Sequence, residues 1–224
     1  MSLQISVQIS TSAAMYIQNQ GWRSVQLSGC PLHSSGGCSF ARHGSYGRVT
    51  PRGLRIARWY CSVGHQTFSL LPDFLAAGQP GLLASVEDSV AVTLSAQSIE
   101  AVADRLRGPD ITLPSAVRWL RRRIRAIRAA LHAVTYMVPD LPIGAFASGA
   151  ATGGGSGQTQ ILLGLRRSLP PPILSCIPAP LGFLRNGKYQ HGMGPDEGGG
   201  TPHYGGAANR NLRPCSTNSI KPPP

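Results

Sequence analysis

Apolar residues recur at helical spacing through the middle of the chain. From Leu82 onward the sequence is rich in Ala, Val, Leu and Arg, and it holds no glycine until Gly108. This spacing predicts two short helices, over residues 82–94 and 98–107. Ser98 is a suitable N-cap for the second helix, and the glycine followed by proline ends it.

A third, longer helix is predicted from Leu113 to Met137. Its apolar residues recur at alternating steps of three and four, which gives one continuous stripe along the helix. The stripe consists of Val117, Leu120, Ile124, Ile127, Leu131 and Val134. Thr112 precedes the helix as a candidate cap, and Pro114 falls in the first turn, where proline is tolerated. We expect the stripe to be buried.

The segments on either side of these helices differ in composition. Residues 1–20 are polar and rich in Ser and Gln, which favours a disordered leader. Residues 21–72 interleave Cys, His, Arg and aromatic residues with Gly and Pro, as in short strands joined by tight turns. The helical segment occupies residues 73–138. Gly/Ser-rich and Pro-rich stretches then make residues 139–224 a predicted linker and disordered tail.

Two pairs of candidate metal ligands lie in the predicted strand segment. Cys30 and Cys38 flank a Pro-Leu-His-Ser-Ser-Gly-Gly loop, and Cys61 and His65 flank Ser-Val-Gly. Two ligand pairs separated by a hairpin-sized spacer form a zinc-ribbon pattern. The first pair is wider than usual, which leaves open whether His33 replaces Cys38. The alternative interpretation is unpaired buried thiols and a surface histidine.

A zinc ion in this segment would have a structural role. A segment of about 50 residues buries too little apolar surface to be stable unaided, so bound Zn2+ would contribute to its folding. Four protein ligands also leave no open position for water or substrate. The metal pattern therefore does not indicate an enzyme.

The long helix carries positive charge on one side. Four arginines fall within about a 100° arc opposite the apolar stripe, with no acidic residue among them. They are Arg118, Arg121, Arg122 and Arg125. Because like charges at this spacing repel, a polyanion lying against them is the simplest compensation. The alternative is that a GC-rich genome encodes arginine by default. The chain has only two lysines, so almost all of the positive charge behind its formal net charge of +12 comes from arginine.

A second group of arginines lies in the predicted ribbon. Arg48, Arg52, Arg55 and Arg58 are interleaved with aromatic residues such as Trp59. Arginine combined with aromatic residues on a β surface suits contacts with a nucleic-acid backbone or stacking on bases. These four residues are therefore candidate nucleic-acid contacts as well.

Three runs in the ribbon segment resemble the N-terminal zinc-ribbon module of bacterial insertion-sequence transposases and of related short bacterial proteins. The runs are Phe40-Ala-Arg-His-Gly-Ser-Tyr46, Arg55-Ile-Ala-Arg-Trp-Tyr-Cys61 and Thr67-Phe-Ser-Leu-Leu-Pro72. The resemblance covers residues 21–142. It implies that the ribbon and a following helix-turn-helix recognise DNA, and that Cys30, Cys61 and His65 are ligands.

The catalytic domain of those transposases is not expected in this chain. Strand transfer with two metal ions needs three carboxylates on a folded sheet. Beyond the long helix the only acidic residues are Asp140, Asp196 and Glu197. Catalytic transposase activity is therefore not predicted.

The sequence predicts an α+β protein with small zinc-ribbon β-hairpins, a helix-turn-helix-like segment containing one long Arg-rich helix, and a disordered tail. Its expected function is non-catalytic nucleic-acid binding, with duplex DNA favoured over RNA, and it is compatible with a homodimer. The alternatives are an RNA- or ribosome-binding zinc-ribbon protein and a non-functional mobile-element fragment. No membrane span or secretory signal is visible, which favours a cytoplasmic location.

Overall fold

A four-stranded sheet precedes most of the helices in the computed structural model, which describes residues 2–141 and 160–184. Its strands are β1 (Ser2–Val7), β2 (Ala41–Gly47), β3 (Arg55–Cys61) and β4 (Gln66–Pro72). The order across the sheet is β1-β4-β3-β2. β1 runs parallel to β4, whereas the other neighbouring strands are antiparallel.

Six α-helices accompany the sheet in the described residues. They are α1 (Ala13–Gln18), α2 (Leu83–Ser95), α3 (Ile99–Leu106), α4 (Leu113–Met137), α5 (Ile161–Ser168) and α6 (Pro171–Cys176). The three helices predicted from periodicity are confirmed, with bounds that differ by one residue or less. Within the described chain, no helix combines the length and hydropathy needed to cross a bilayer.

The predicted caps of α3 and α4 have different outcomes. The Ser98 hydroxyl accepts the backbone N–H groups of Glu100 (3.2 Å) and Ala101 (3.3 Å), which confirms it as an N-cap. Thr112 occupies the N-cap position of α4, but its hydroxyl donates to the Ser115 hydroxyl oxygen at 2.9 Å. The first turn of α4 therefore has no side-chain cap, although it contains the expected proline.

Residues 2–18 form β1 and α1, instead of the disordered leader that the sequence predicts. Ile5, Val7 and Ile9 pack against the largest buried cluster among the described residues. They alternate with Ser and Gln, and this period of two is typical of a half-buried strand. This alternation predicts β1, although the overall composition of the segment is polar.

The apolar stripe of α4 contacts three separate apolar clusters, with Ile124 and Leu131 half-buried and its other residues buried as expected. Near its start, Leu120 packs with residues of α3. In the middle, Ile127 packs with Val86 of α2 and Leu162 of α5. Near its end, Val134 packs with buried residues of α5 and α6. The helix thus links α2, α3, α5 and α6 along one face.

Residues 161–176 form two packed helices, so the predicted linker and tail is wrong for this part. The Glu87 carboxylate of α2 accepts the backbone N–H groups of Ile161 (2.9 Å) and Leu162 (3.1 Å). It thereby satisfies donors that every helix start leaves free, at the positive end of the helix dipole. Residues 142–159 and 185–224 of the predicted tail lie outside the described residues.

A buried arginine joins α5 to the loop that follows β4. The Arg166 side chain is 2% exposed. Its guanidinium donates to the carbonyls of Leu181 (2.8 Å), Asp73 (3.2 Å), Leu75 and Pro180. Burial lowers the pKa of Arg166 to about 9, against the opposing effect of the Asp73 carboxylate. The group therefore stays charged at neutral pH and ties three backbone segments together.

Replacing this cation should destabilise the protein strongly. An Arg166→Met substitution leaves several buried carbonyls without a donor, and we expect a loss of about 3 kcal/mol or more in the free energy of unfolding. Urea denaturation of the full chain measures it. The exposed Arg105 supplies the control, because Arg105→Met should change the stability by less than about 0.5 kcal/mol. Equal effects of the two substitutions would contradict the role of Arg166.

Candidate metal centre and basic face

Four ligand-type side chains converge where β3 ends. Cys61 is the last residue of β3, and Cys30, His33 and Cys38 lie in the loop that leads to β2. Their three sulfur atoms and one imidazole nitrogen all lie within 4.8 Å of one another. This group could hold a metal ion.

Tight turns bring the three loop residues together. The His33 backbone N–H donates to the Cys30 carbonyl at 3.2 Å, and the Gly36 N–H donates to the His33 carbonyl at 3.0 Å. Gly36 and Gly37 both have positive φ, a conformation that favours glycine, and they turn the chain toward Cys38. As a result, His33 Nδ1 lies 3.5 Å from Cys30 Sγ and 3.3 Å from Cys61 Sγ.

The turn after β3 completes the surroundings of the cluster. The Gly64 N–H donates to Cys61 Sγ at 3.2 Å, and the Ser62 hydroxyl donates to the Cys38 carbonyl at 2.9 Å. A Cβ at Gly64 would approach Leu32 Cδ1 to 2.7 Å, a distance too short for two carbon atoms. A side chain at this position would therefore require the exposed Leu32 side chain to move.

Apolar side chains shield the thiols from water. Cys30, Cys38 and Cys61 are 5%, 3% and 0% exposed, and they form one buried cluster with Phe68. The rings of Phe40 and Trp59 stack at 5.2 Å beside this cluster. Water is thus largely kept from the ligand atoms.

The metal-free thiols differ in acidity. Burial alone would raise the pKa of Cys30, but hydrogen bonds with His33, the Leu32 backbone and the neighbouring thiols bring it down to about 6. Burial, reinforced by the adjacent Cys30 and Cys61, raises the pKa of Cys38 to about 11. At neutral pH Cys30 is thus mainly a thiolate, while Cys38 keeps its proton.

His65, predicted as the fourth ligand, lies outside this group. It is exposed, and its Nδ1 lies 3.2 Å from the Tyr60 hydroxyl. Consecutive side chains of a strand point to opposite faces, so a residue that contacts Tyr60 is on the wrong face to meet Cys61. The structure brings both His33 and Cys38 to the cluster. The two-residue spacing from Cys30 to His33 is the signal that could have identified this histidine.

The four arginines predicted on the long helix lie together on one exposed face of α4. Arg118, Arg121, Arg122 and Arg125 are all exposed. Arg128 and His132 extend this face by about two further turns. Both continue the same spacing, although they are not among the predicted contacts. We call these six residues the basic face.

Two contacts involve side chains of the basic face. Arg121 Nη2 lies 3.6 Å from Glu100 Oε1, with both side chains more than half exposed. Such a surface ion pair contributes little and is screened by salt. Arg118 donates to the Ser115 hydroxyl at 3.3 Å. The positive charge of the face therefore remains largely available to an external anion.

The ribbon arginines do not form one surface. Arg48 is half-buried and donates to the carbonyls of Ala76 (3.3 Å) and Gln79, so it joins two loops of the fold. Arg55 and Arg58 lie three residues apart on β3 and therefore on opposite faces of the sheet. Arg52 is exposed in the turn before β3. The structure thus gives these four residues no shared binding face.

Comparisons with family models, curated proteins and solved structures find no match to this chain. The resemblance to the ribbon module of insertion-sequence transposases stays a hypothesis. Function must therefore be inferred from the two features described above, the metal-ligand cluster and the basic face.

Metal content distinguishes the two histidines. His33→Ala should lower the zinc content of the purified full chain well below one equivalent, because it removes a ligand atom from the cluster. His65→Ala is the matched control and should retain the metal. Elemental analysis after gel filtration gives the stoichiometry. Loss of metal from His65→Ala with retention by His33→Ala would reverse the assignment.

Metal binding should release protons. Cys38, with a pKa of about 11, is protonated at pH 7.5 and must lose its proton to coordinate. We expect at least one proton per Zn2+ at this pH and an additional one below the Cys30 pKa of about 6. The apparent affinity should therefore fall as the pH falls.

A competition titration with a chelator of known pH dependence, at pH 5.5 and pH 7.5, measures this change. A weakly buffered solution containing a pH indicator counts the protons released at pH 7.5. A binding constant that is the same at both pH values would show that Cys38 is not a ligand.

Proposed function

We propose that this protein is a non-catalytic nucleic-acid-binding protein that contacts duplex DNA through the basic face of α4. The observation that supports the proposal is the one-sided placement of Arg118, Arg121, Arg122 and Arg125, all exposed on a helix whose other side is buried. Burial of the apolar stripe fixes the rotation of the helix. The arginines are therefore presented to solvent as one pre-arranged group.

Guanidinium groups suit this ligand because of their shape and charge. Each can pair with two phosphate oxygens, or with the O6 and N7 atoms of guanine in the major groove. A bound phosphate also releases condensed counterions, which makes the affinity strongly dependent on salt. An α-helix fits the major groove, and α4 follows α3 after a short connection, as in a helix-turn-helix.

The ion proposed for the cysteine and histidine cluster is a structural Zn2+. Tetrahedral zinc with Zn–S bonds of about 2.3 Å and Zn–N bonds of about 2.0 Å separates sulfur from nitrogen ligands by about 3.5 Å. His33 Nδ1 lies 3.5 Å from Cys30 Sγ and 3.3 Å from Cys61 Sγ, which agrees with this geometry. Three thiols and one imidazole are also a donor set that zinc prefers.

A structural ion at this position would support binding indirectly. It would fix the loop of residues 30–38 against the end of β3, and so hold this end of the sheet in one conformation. With three cysteines and one histidine as ligands, the ion has no free position for a reacting water. We therefore assign to the metal a role in folding and to α4 the contact with nucleic acid.

Removing charge from the basic face should weaken DNA binding and reduce its salt dependence. For the double variant Arg122→Gln/Arg125→Gln, we expect the slope of log affinity against log salt to fall by about two. Fluorescence anisotropy with a labelled duplex, measured over a range of NaCl concentrations, gives both quantities. Glutamine keeps the helix propensity close to that of arginine, so folding should be preserved.

The control variant is Arg23→Gln/Arg105→Gln, which removes the same charge from exposed residues outside the basic face. It should change the slope by much less. If both double variants lose the same affinity, binding reflects net charge alone and the proposed face is wrong. Stronger competition by structured RNA than by duplex DNA would instead favour an RNA-binding function.

A further inference from the structure

A cavity of about 410 Å³ lies beside Trp119, a residue that adjoins the basic face. Its lining includes Pro51, Pro80, Leu82 and Ser85 together with Trp119 and Arg123. Small-ligand sites commonly have volumes of about 300 to 1,000 Å³ and mainly apolar walls. The cavity is thus large enough for a single planar ring system.

Two planar groups form part of the cavity lining. The Trp119 side chain is 39% exposed, although it belongs to a helix that buries most of its apolar residues. The Arg123 guanidinium carbon lies 4.0 Å from the centre of the Trp119 ring. Arg123 is itself held in place, because it donates to the Ser85 carbonyl at 3.2 Å and to the Ser89 hydroxyl at 3.3 Å.

The indole ring and the guanidinium group are therefore fixed before any ligand binds. Unpaired bases stack on such aromatic rings and guanidinium planes. A rigid stacking surface favours binding because less conformational freedom is lost. The Arg123 guanidinium covers part of the indole ring, and the exposed part remains available to a planar group from outside the protein.

The charge around the cavity indicates which kind of ligand would carry the stacking ring. None of the residues that line it is acidic. Trp119 follows Arg118 directly, and Arg122 lies one turn farther along α4, about 4.5 Å along the helix axis. Both arginines are exposed. A ligand that combines a planar apolar ring with nearby phosphates matches this arrangement.

We propose that this cavity takes one unpaired nucleobase of a nucleic-acid strand whose phosphates lie on the basic face of α4. The inference rests on the proposed function and adds to it a preference for a nucleic acid with a displaced or overhanging base. The gain in affinity comes from stacking on the indole ring and the guanidinium. We therefore expect different unpaired bases to bind similarly. Paired bases inside an intact duplex are not available to the cavity.

The test measures the affinity of the metal-loaded full chain for three labelled DNA duplexes of the same sequence. One is fully paired, one carries a single unpaired adenine, and one carries an abasic nucleotide at that same position. We expect the unpaired adenine to bind about 10-fold more tightly than the abasic nucleotide at constant salt. The abasic duplex controls for the added flexibility and the extra phosphate.

Two variants examine the cavity separately. Trp119→Ala removes the stacking surface, and Ser85→Tyr places a large ring into the cavity from an exposed position on α2. Both variants should abolish the difference in affinity between the adenine duplex and the abasic duplex. Both should still bind the paired duplex. Trp119→Phe should retain part of the difference.

The outcomes separate this inference from the proposed function. Equal wild-type affinity for the adenine and abasic duplexes would overturn the base site alone, as would an adenine preference that both Trp119→Ala and Ser85→Tyr retain. Failure of the wild-type protein to bind any of the three duplexes would overturn the proposed function and the base site together.

Discussion

The convergence of three thiols and one imidazole in an apolar setting is the constraint on which the sheet region depends. Cys30, Cys38 and Cys61 are almost fully buried and lie within 4.8 Å of one another and of His33. Buried thiolates this close repel one another, so they cannot all ionise unless a cation lies among them. A divalent ion at this cluster would resolve the conflict. It would also connect the loop before β2 to the end of β3, in addition to the apolar contacts around Phe68.

The second half of the described structure depends on α4. Its buried stripe contacts α3, then α2 and α5, and finally α6, so one helix organises these four. The side that these contacts leave exposed carries the arginines. Arg48 and Arg166 connect the sheet to the helices by donating to backbone carbonyls of intervening loops. The orientation of the basic face is thus fixed by packing rather than by a ligand.

The sequence predicts the features that depend on local spacing and fails for those that depend on distant partners. Helices α2 to α4, the Ser98 cap and three of the four cluster residues follow from periodicity and motif spacing. Spacing and the resemblance both indicate His65 as a ligand, but strand alternation places it with Tyr60. The cap that Glu87 provides to α5 joins residues 74 positions apart, and no local pattern indicates such a contact.

We infer that three sulfur atoms and one imidazole nitrogen from this loop and hairpin would hold the ion. X-ray absorption at the zinc edge, measured on the purified full chain, reports the number and type of ligand atoms directly. We expect three sulfur atoms at about 2.3 Å and one nitrogen at about 2.0 Å. A shell of oxygen and nitrogen atoms, or of two sulfur and two nitrogen atoms, would contradict it.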